Sequence, residues 1–260
     1  LTIASRKLRK ATEGTDPTVA NAIGTKRRTL TTVEVIWAED LTLTFLEDAI
    51  ERAGTEQHIA RMLATQFGND LNDLAWNGDE ADTADPFRVI NNGWIMLAQG
   101  DSAVHDVDFT DTSAGDPATL EDSPTGLLKM VSKALPYKFK GRTDLSIWVP
   151  VPFGEEYADE LSRRETNLGD EVVQAGFPSM RYFGRPVRVE PHFVEENADK
   201  IVLTPDGNLF FGVQRQMMVE SEWRPRPRVV QYTITARVDV NYATGDAIVL
   251  ASGLPTNLRG

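Results

Sequence analysis

The chain has 260 residues, a mass of 28.8 kDa and a net charge of −12, from 27 basic and 39 acidic side chains. With 41% apolar and 25% charged residues it is a folding chain, long enough for one large core or two modest ones. It has no cysteine, which excludes disulfides, thiolate nucleophiles, zinc–thiolate sites and iron–sulfur clusters, and no apolar run nears the ~18 residues of a membrane span.

The charge is unevenly placed. Residues 1–28 carry Arg6, Lys7, Arg9, Lys10, Lys26, Arg27 and Arg28 against only Glu13 and Asp16, a local balance of +5 that leaves −17 on the rest. An acidic body argues against a protein that wraps nucleic acid over its whole surface. The basic segment has no aromatic residue between its charges on which bases could stack, which favours a protein contact over a nucleic-acid one.

In chain order, residues 1–45 read as extended. Val33, Val35 and Trp37, then Leu41, Leu43 and Phe45, alternate as in a strand, and the Gly, Pro and Thr of residues 11–25 read as a long tip. The simplest arrangement is a ribbon of two strands with the basic residues near that tip. Such a ribbon has little core and needs a surface to lie on.

Residues 55–77 predict the best helix, because Ile59, Met62, Leu63, Phe67, Leu71 and Leu74 share one face. Thr55 is the expected N-cap and Gly78 the expected left-handed C-cap. Gly68, inside the helix, suggests a place where another backbone approaches. At 1.5 Å per residue the helix spans roughly 35 Å.

Residues 86–98 suggest a short helix broken at Asn91-Asn92-Gly93, and residues 101–124 read as a loop. An amphipathic helix over 125–138 ends at Pro136, a buried strand covers 145–151, and a helix over 155–168 stops at Gly169. Arg163-Arg164-Glu165 gives that helix a charged face. Strands follow at 185–193, 200–204 and 208–213, the last two turned by Pro205-Asp206-Gly207.

The clearest periodicity comes last. From Val230 to Tyr242 the even positions are Val230, Tyr232, Ile234, Ala236, Val238, Val240 and Tyr242, and the odd ones are polar. This strand spans about 43 Å. Met217–Trp223 is expected to pair with it through Arg224-Pro225-Arg226-Pro227-Arg228, with Met217, Met218 and Trp223 in the sheet core. A globule of this mass is roughly 40 Å across. A helix and a strand of that length therefore imply a flat, elongated subunit.

The search for chemistry assigns no catalytic, cofactor-binding or metal-binding residue. His58, His105 and His192 are widely separated. Asp106, Asp108 and Asp111 lack the glycine and the final glutamate of a calcium loop. No phosphate-binding glycine loop or nucleophile elbow is present. A non-enzymatic chain without cofactor is expected, with an acidic hydrolase built on Asp106 and Asp108 as a distant alternative.

The segments LAWNGDE, DPFRVINNGWIMLA, SKALPYKFK, RRETNLGD, YFGRPVRVEP, IVLTPDGNLFFGVQR and RVDVNYATGDAIVLA follow one another in an order that resembles tailed-phage major capsid proteins of the HK97-like fold. The resemblance covers nearly the whole chain. It implies an α+β fold with three parts: an extended hairpin (E-loop) over residues 1–40, a peripheral (P) domain over 41–109 and 216–260, and an axial (A) domain over 110–215. The P-domain would hold the long spine helix and the long antiparallel strands.

The implied function is a subunit that self-assembles as pentamers and hexamers into the icosahedral shell around the double-stranded DNA of a tailed virus. Arg6, Lys7, Arg9, Lys10, Lys26, Arg27, Arg28, Arg163 and Arg164 become candidates for contacts between subunits. The loops at 78–86, 101–124 and 194–199 become candidates for adapting to both ring sizes. Implied partners are further copies, a decoration or cement protein, a portal, and a scaffold or prohead protease that removes an N-terminal segment. Packaged DNA would touch the wall weakly and non-specifically, and no membrane is involved. The implied location is the virion capsid, assembled in the host cytoplasm. An encapsulin-type nanocompartment is the alternative within the same fold.

Overall fold

The computed structural model describes residues 2–3, 23–24, 27–48, 55–110, 123–163, 176–177, 180–193 and 197–255. Near the N-terminus, β1 (Thr2–Ile3) pairs antiparallel with β2 (Ile23–Gly24). Then come β3 (Val33–Thr42), α1 (Leu43–Asp48) and the long α2 (Thr55–Asn77). A 3₁₀ turn at Arg88–Ile90 precedes α3 (Trp94–Gln99) and β4 (His105–Asp108). The middle of the chain forms α4 (Pro124–Ala134), α5 (Tyr137–Lys140), β5 (Leu145–Val149) and α6 (Val151–Ser162). The remaining strands are β6 (Arg181–Tyr182), β7 (Arg185–Val189), β8 (Ile201–Pro205), β9 (Leu209–Arg224), β10 (Val229–Tyr242) and β11 (Val249–Ser252). The mixture is α+β, as the sequence implies.

The first sheet is antiparallel and ordered β3-β10-β9. The alternation of β10 dictates it. The buried even positions Tyr232, Ile234, Ala236 and Val238 pack with Val35 of β3 against Ile59, Leu63, Phe67 and Leu74 of α2. These four helix residues lie on the face predicted from their spacing. Each such aliphatic or aromatic side chain contributes about 1.5–3 kcal/mol when taken out of water.

The second sheet is mixed and ordered β4-β11-β8-β5-β7-β6. Its central strands are buried, and Ile147, Leu203 and Val249 pack with Leu128 and Val131 of α4 and Phe153, Tyr157 and Leu161 of α6. Helix α4 begins as its sequence directs: Ser123 Oγ accepts the amide of Gly126 at 3.2 Å and Pro124 follows the cap. It ends because Leu135 precedes Pro136 and takes an extended conformation (φ −62°, ψ 131°).

A third cluster joins the two sheets. Trp76, in the last turn of α2, meets Trp94 at 4.8 Å, Phe193 at 5.0 Å and Trp148 at 5.3 Å between ring centroids. Trp76 also packs with Ile95, Tyr242, Ile248 and Leu250. The foot of the long helix is thereby fixed to both sheets.

Several expectations need correction. The stretch 101–124 is not loop throughout, because His105–Asp108 forms β4, parallel to β11. Only four residues alternate there, too few to stand out. The segments 208–213 and 217–223 are one strand of 16 residues. That strand does not form a hairpin with β8: the 3₁₀ turn Asp206–Asn208 sends the chain from the second sheet to the first. Met217, Met218 and Trp223 are exposed rather than in the sheet core.

Gly78 is not a left-handed cap. It is required for space, since a Cβ there would stand 2.0 Å from the carbonyl oxygen of Asn91. Gly93, whose amide donates to Gly78 O at 2.7 Å, is under the same constraint from Trp76 O. Gly68 has open space within the chain rather than a close backbone. The helix expected over 155–168 runs from Val151 to Ser162, and residues 164–175 lie outside the described residues, as does the side chain of Thr55.

Candidate assembly surfaces

The segment 28–32, between the basic N-terminal stretch and β3, is fastened to the body by a ladder of side chains. Arg28 forms an ion pair with Asp101, and its guanidinium carbon lies 4.6 Å from the ring centroid of Tyr242. The Tyr242 hydroxyl donates to Asp101 Oδ2 at 2.9 Å. Asn241 Nδ2 donates to the carbonyl of Thr29 at 3.1 Å. Leu30 rests over Gly212, where a Cβ would approach its Cδ1 to 2.7 Å. The Thr31 amide donates to Asp239 Oδ2 at 2.5 Å, and the Thr32 hydroxyl to Gln214 Oε1 at 2.7 Å.

Asp239 is the centre of this ladder. It is only 7% exposed. Its second oxygen accepts from Asn91 Nδ2 at 2.9 Å and from the amide of Val240 at 2.7 Å. A buried carboxylate is tolerable only when hydrogen bonds replace its water. Sequence reasoning missed Asp239 and Asn241, because odd positions of an alternating strand read as solvent-facing. No signal in the spacing marks them, because both bonds depend on where 28–32 crosses the sheet.

Electrostatics support the ladder. The Asp101 carboxyl is held at about 2, first by the Ala103 amide and then by the Arg28 guanidinium. Burial, with Asp101 beside it, pushes the Tyr242 phenol up to about 12. Further along the sheet, Glu34 accepts from Arg215 at 2.5 Å and Arg237 at 3.1 Å, and those two donors hold its carboxyl below the usual range.

The second surface is β9. Among the described residues nothing pairs with its outer edge. By register, Phe211, Val213, Val219 and Trp223 stand opposite Val240, Val238, Ile234 and Val230, so they fall on the helix side of the sheet. Helix α2 covers β10 and β3 but does not bury this row, and all four side chains are exposed. A long, unpaired edge with apolar side chains is one that soluble monomers avoid.

Of the residues singled out as contact candidates, Arg28 is engaged within the chain at the root of the N-terminal segment. Arg27 is exposed beside it, and Arg163 pairs with Asp159 one helical turn away. Arg6, Lys7, Arg9, Lys10, Lys26 and Arg164 lie outside the described residues. Among the described residues no group of His, Asp and Glu could hold a metal ion, and no helix is long and apolar enough to cross a membrane.

No family model matches the chain. It is 29% identical over 256 residues to YqbE of Bacillus subtilis (strain 168), named as a prophage capsid protein, covering 94% of this chain and 77% of that one. Among solved structures it is similar to the satellite phage P4 procapsid that includes the size determination (Sid) protein. The TM-score there is 0.65 at 15% identity, covering 95% of this chain and 81% of that one. It is also similar to the holo-SrpI encapsulin complex of Synechococcus elongatus PCC 7942, with a TM-score of 0.52 at 12% identity, covering 85% and 73%.

Proposed function

We infer that this chain, which has the HK97-like capsid fold, is the major capsid protein of a tailed phage or prophage: a structural subunit that assembles with copies of itself into a shell. The observation that carries this reading is the β9 edge. A sixteen-residue strand with an uncovered apolar row is incomplete in one copy and complete in a lattice of copies. Assembly interfaces of this kind bury on the order of 2,000 Å². Closure of a shell adds affinity through effective concentration.

The finer picture is our proposal. Residues 1–40 form the E-loop, 41–109 and 216–260 the peripheral domain, and 110–215 the axial domain. The two sheets have separate cores, which supports two units, but β4 and β11 from the peripheral ranges complete the six-stranded sheet built mainly by residues 145–205, and β9 begins at Leu209 in the first sheet. The basic residues Arg6, Lys7, Arg9, Lys10 and Lys26 meet the acidic body of a neighbouring subunit, with Arg28 anchoring the loop's root. Arg27, Arg163 and Arg164 complete the contact set. Copies form pentamers and hexamers around double-stranded DNA in the host cytoplasm. A portal, a decoration or cement protein, and a scaffold or prohead protease complete the particle. The net negative body keeps packaged DNA from adhering to the wall.

Electron microscopy tests the reading: the purified protein should form closed shells and particles from the producing host should hold DNA, whereas shells loaded with protein cargo would make it an encapsulin. Deletion of Arg9 through Arg27 should leave a folded, soluble chain that no longer forms shells. Normal particle yield from that deletion would count against the role given to the loop.

A further inference from the structure

The hairpin joining β6 to β7 has a two-residue loop, Phe183-Gly184, with Tyr182 opposite Arg185. Both loop residues have positive φ, 48° at Phe183 and 78° at Gly184. That is the signature of a type I′ turn, whose first position favours Asn, Asp or Gly. A bulky side chain in the left-handed region is strained. Local structure therefore gives no reason for phenylalanine here.

Nor does packing. Phe183 is 84% exposed, and its ring contact within the chain is Tyr182, edge-on at 4.7 Å. The hairpin beneath it is held firmly. Tyr157 Oη donates to the Arg181 carbonyl at 2.9 Å, and Arg185 donates to Ser132 Oγ at 2.8 Å and to Lys140 O at 3.2 Å. A rigid support thus presents a strained, solvated aromatic ring. Observed strain at an exposed position points to function, and aromatic side chains, Phe among them, are enriched at the cores of protein interfaces.

The charges nearby indicate what it grips. Phe183 lies at one end of the six-stranded sheet, beside exposed Arg181 and Lys129. The opposite edge is β4, which exposes Asp106 and Asp108. With five strand spacings between them, these edges are about 24 Å apart, so they cannot meet within one copy. Edges of opposite charge on opposite sides of one sheet suit a head-to-tail contact, and repetition of such a contact closes a ring.

We propose that the Phe183 turn of one subunit docks on the acidic β4 edge of the next copy of this chain, as the side-to-side contact of a ring. This rests on the shell-subunit reading above. The decisive variant is Phe183→Asn, which installs a residue the turn prefers. Dissociated subunits of the full chain are melted by scanning calorimetry, and assembly is measured by sedimentation. The expected result is a melting temperature unchanged or higher, with the assembled fraction reduced at least tenfold.

Arg181→Asp and Asp106→Arg should each weaken assembly, and the double variant should recover at least half of it. A Phe183→Asn protein that assembles like wild type overturns the proposal. So does a fall of several degrees in its subunit melting temperature, which would make Phe183 a packing residue. Failure of the charge swap to restore assembly removes β4 as the partner. In all three cases wild type still forms shells; wild type that stays monomeric at high concentration would instead overturn the shell reading itself.

Discussion

Arg28 and Tyr242 are 214 positions apart in the chain, yet the guanidinium of one lies 4.6 Å from the ring centroid of the other, and both reach the carboxylate of Asp101. One side chain is the last basic residue of the N-terminal segment. The other ends the long strand β10 and is buried in the cluster that joins the two sheets. The basic N-terminal segment is therefore tied, at its C-terminal end, to the aromatic cluster that joins the two sheets.

The tie has a pH signature. Asp101 is depressed to about 2 from an ordinary value of ~4, so its stabilisation is present above pH ~4 and lost as pH falls from ~4 towards ~2. After allowance for solvent screening it is worth on the order of 1 kcal/mol. Tyr242, raised to about 12, contributes stability that is complete below pH ~10 and lost above it. Thermal melts across pH should show both limbs. Asp101→Asn should flatten the acid limb and Tyr242→Phe the alkaline one. An unchanged acid limb in Asp101→Asn would place the titrating group elsewhere.

Asp239 gives a stronger test, because its bonds from Asn91 and Val240 are buried. Asp239→Ala leaves the Thr31 amide and the Asn91 side chain without their acceptor. The orphaned Asn91 donor is buried and costs about 1–3 kcal/mol, whereas the exposed Thr31 amide can turn to water, so a loss of about 1–3 kcal/mol is expected by denaturant unfolding. Were Asp239 an ordinary solvent-facing strand residue, the change would stay within about 0.5 kcal/mol.

These two sites mark how far the sequence is legible. Regular periodicity is readable, so the apolar face of α2 and the even positions of β10 were accessible from spacing alone. Contacts between distant segments are not. Nothing in the spacing of Asp239 says that it receives Thr31, because that bond depends on where 28–32 crosses the sheet. The exposed residues of β9 fail for the same reason. Met217, Met218 and Trp223 have the composition of core, and only the placement of α2 decides that they are left uncovered. β4 escapes notice because four residues are too few to establish a period, and its pairing with β11 joins positions about 140 residues apart.

The glycines separate space from conformation. Gly78→Ala would drive a Cβ to 2.0 Å from Asn91 O, and Gly93→Ala to 2.6 Å from Trp76 O. Both neighbours are backbone and cannot rotate away, so losses of about 3 kcal/mol or more are expected. Gly68→Ala meets open space in the middle of α2 and should raise subunit stability by about 1 kcal/mol. Chemical denaturation of the three variants checks the ranking, and a destabilising Gly68→Ala would be incompatible with the described helix environment.

Ile234 and Val219 stand directly opposite one another on β10 and β9, on the same face of the sheet, yet they are 1% and 39% exposed. The same substitution should therefore have different consequences at the two positions. Ile234→Asp puts a charge among Phe67, Leu63 and Val35 and should cost several kcal/mol, enough to abolish folding. Val219→Asp puts the charge in water beside Glu220 and should change subunit stability by no more than about 0.5 kcal/mol. If β9 is buried only between copies, Val219→Asp should yield soluble, cooperatively melting protein that fails to form shells. Shells formed at wild-type yield by that variant would show that the β9 row stays in solvent after assembly, and the edge would lose its place as the observation on which the shell reading rests.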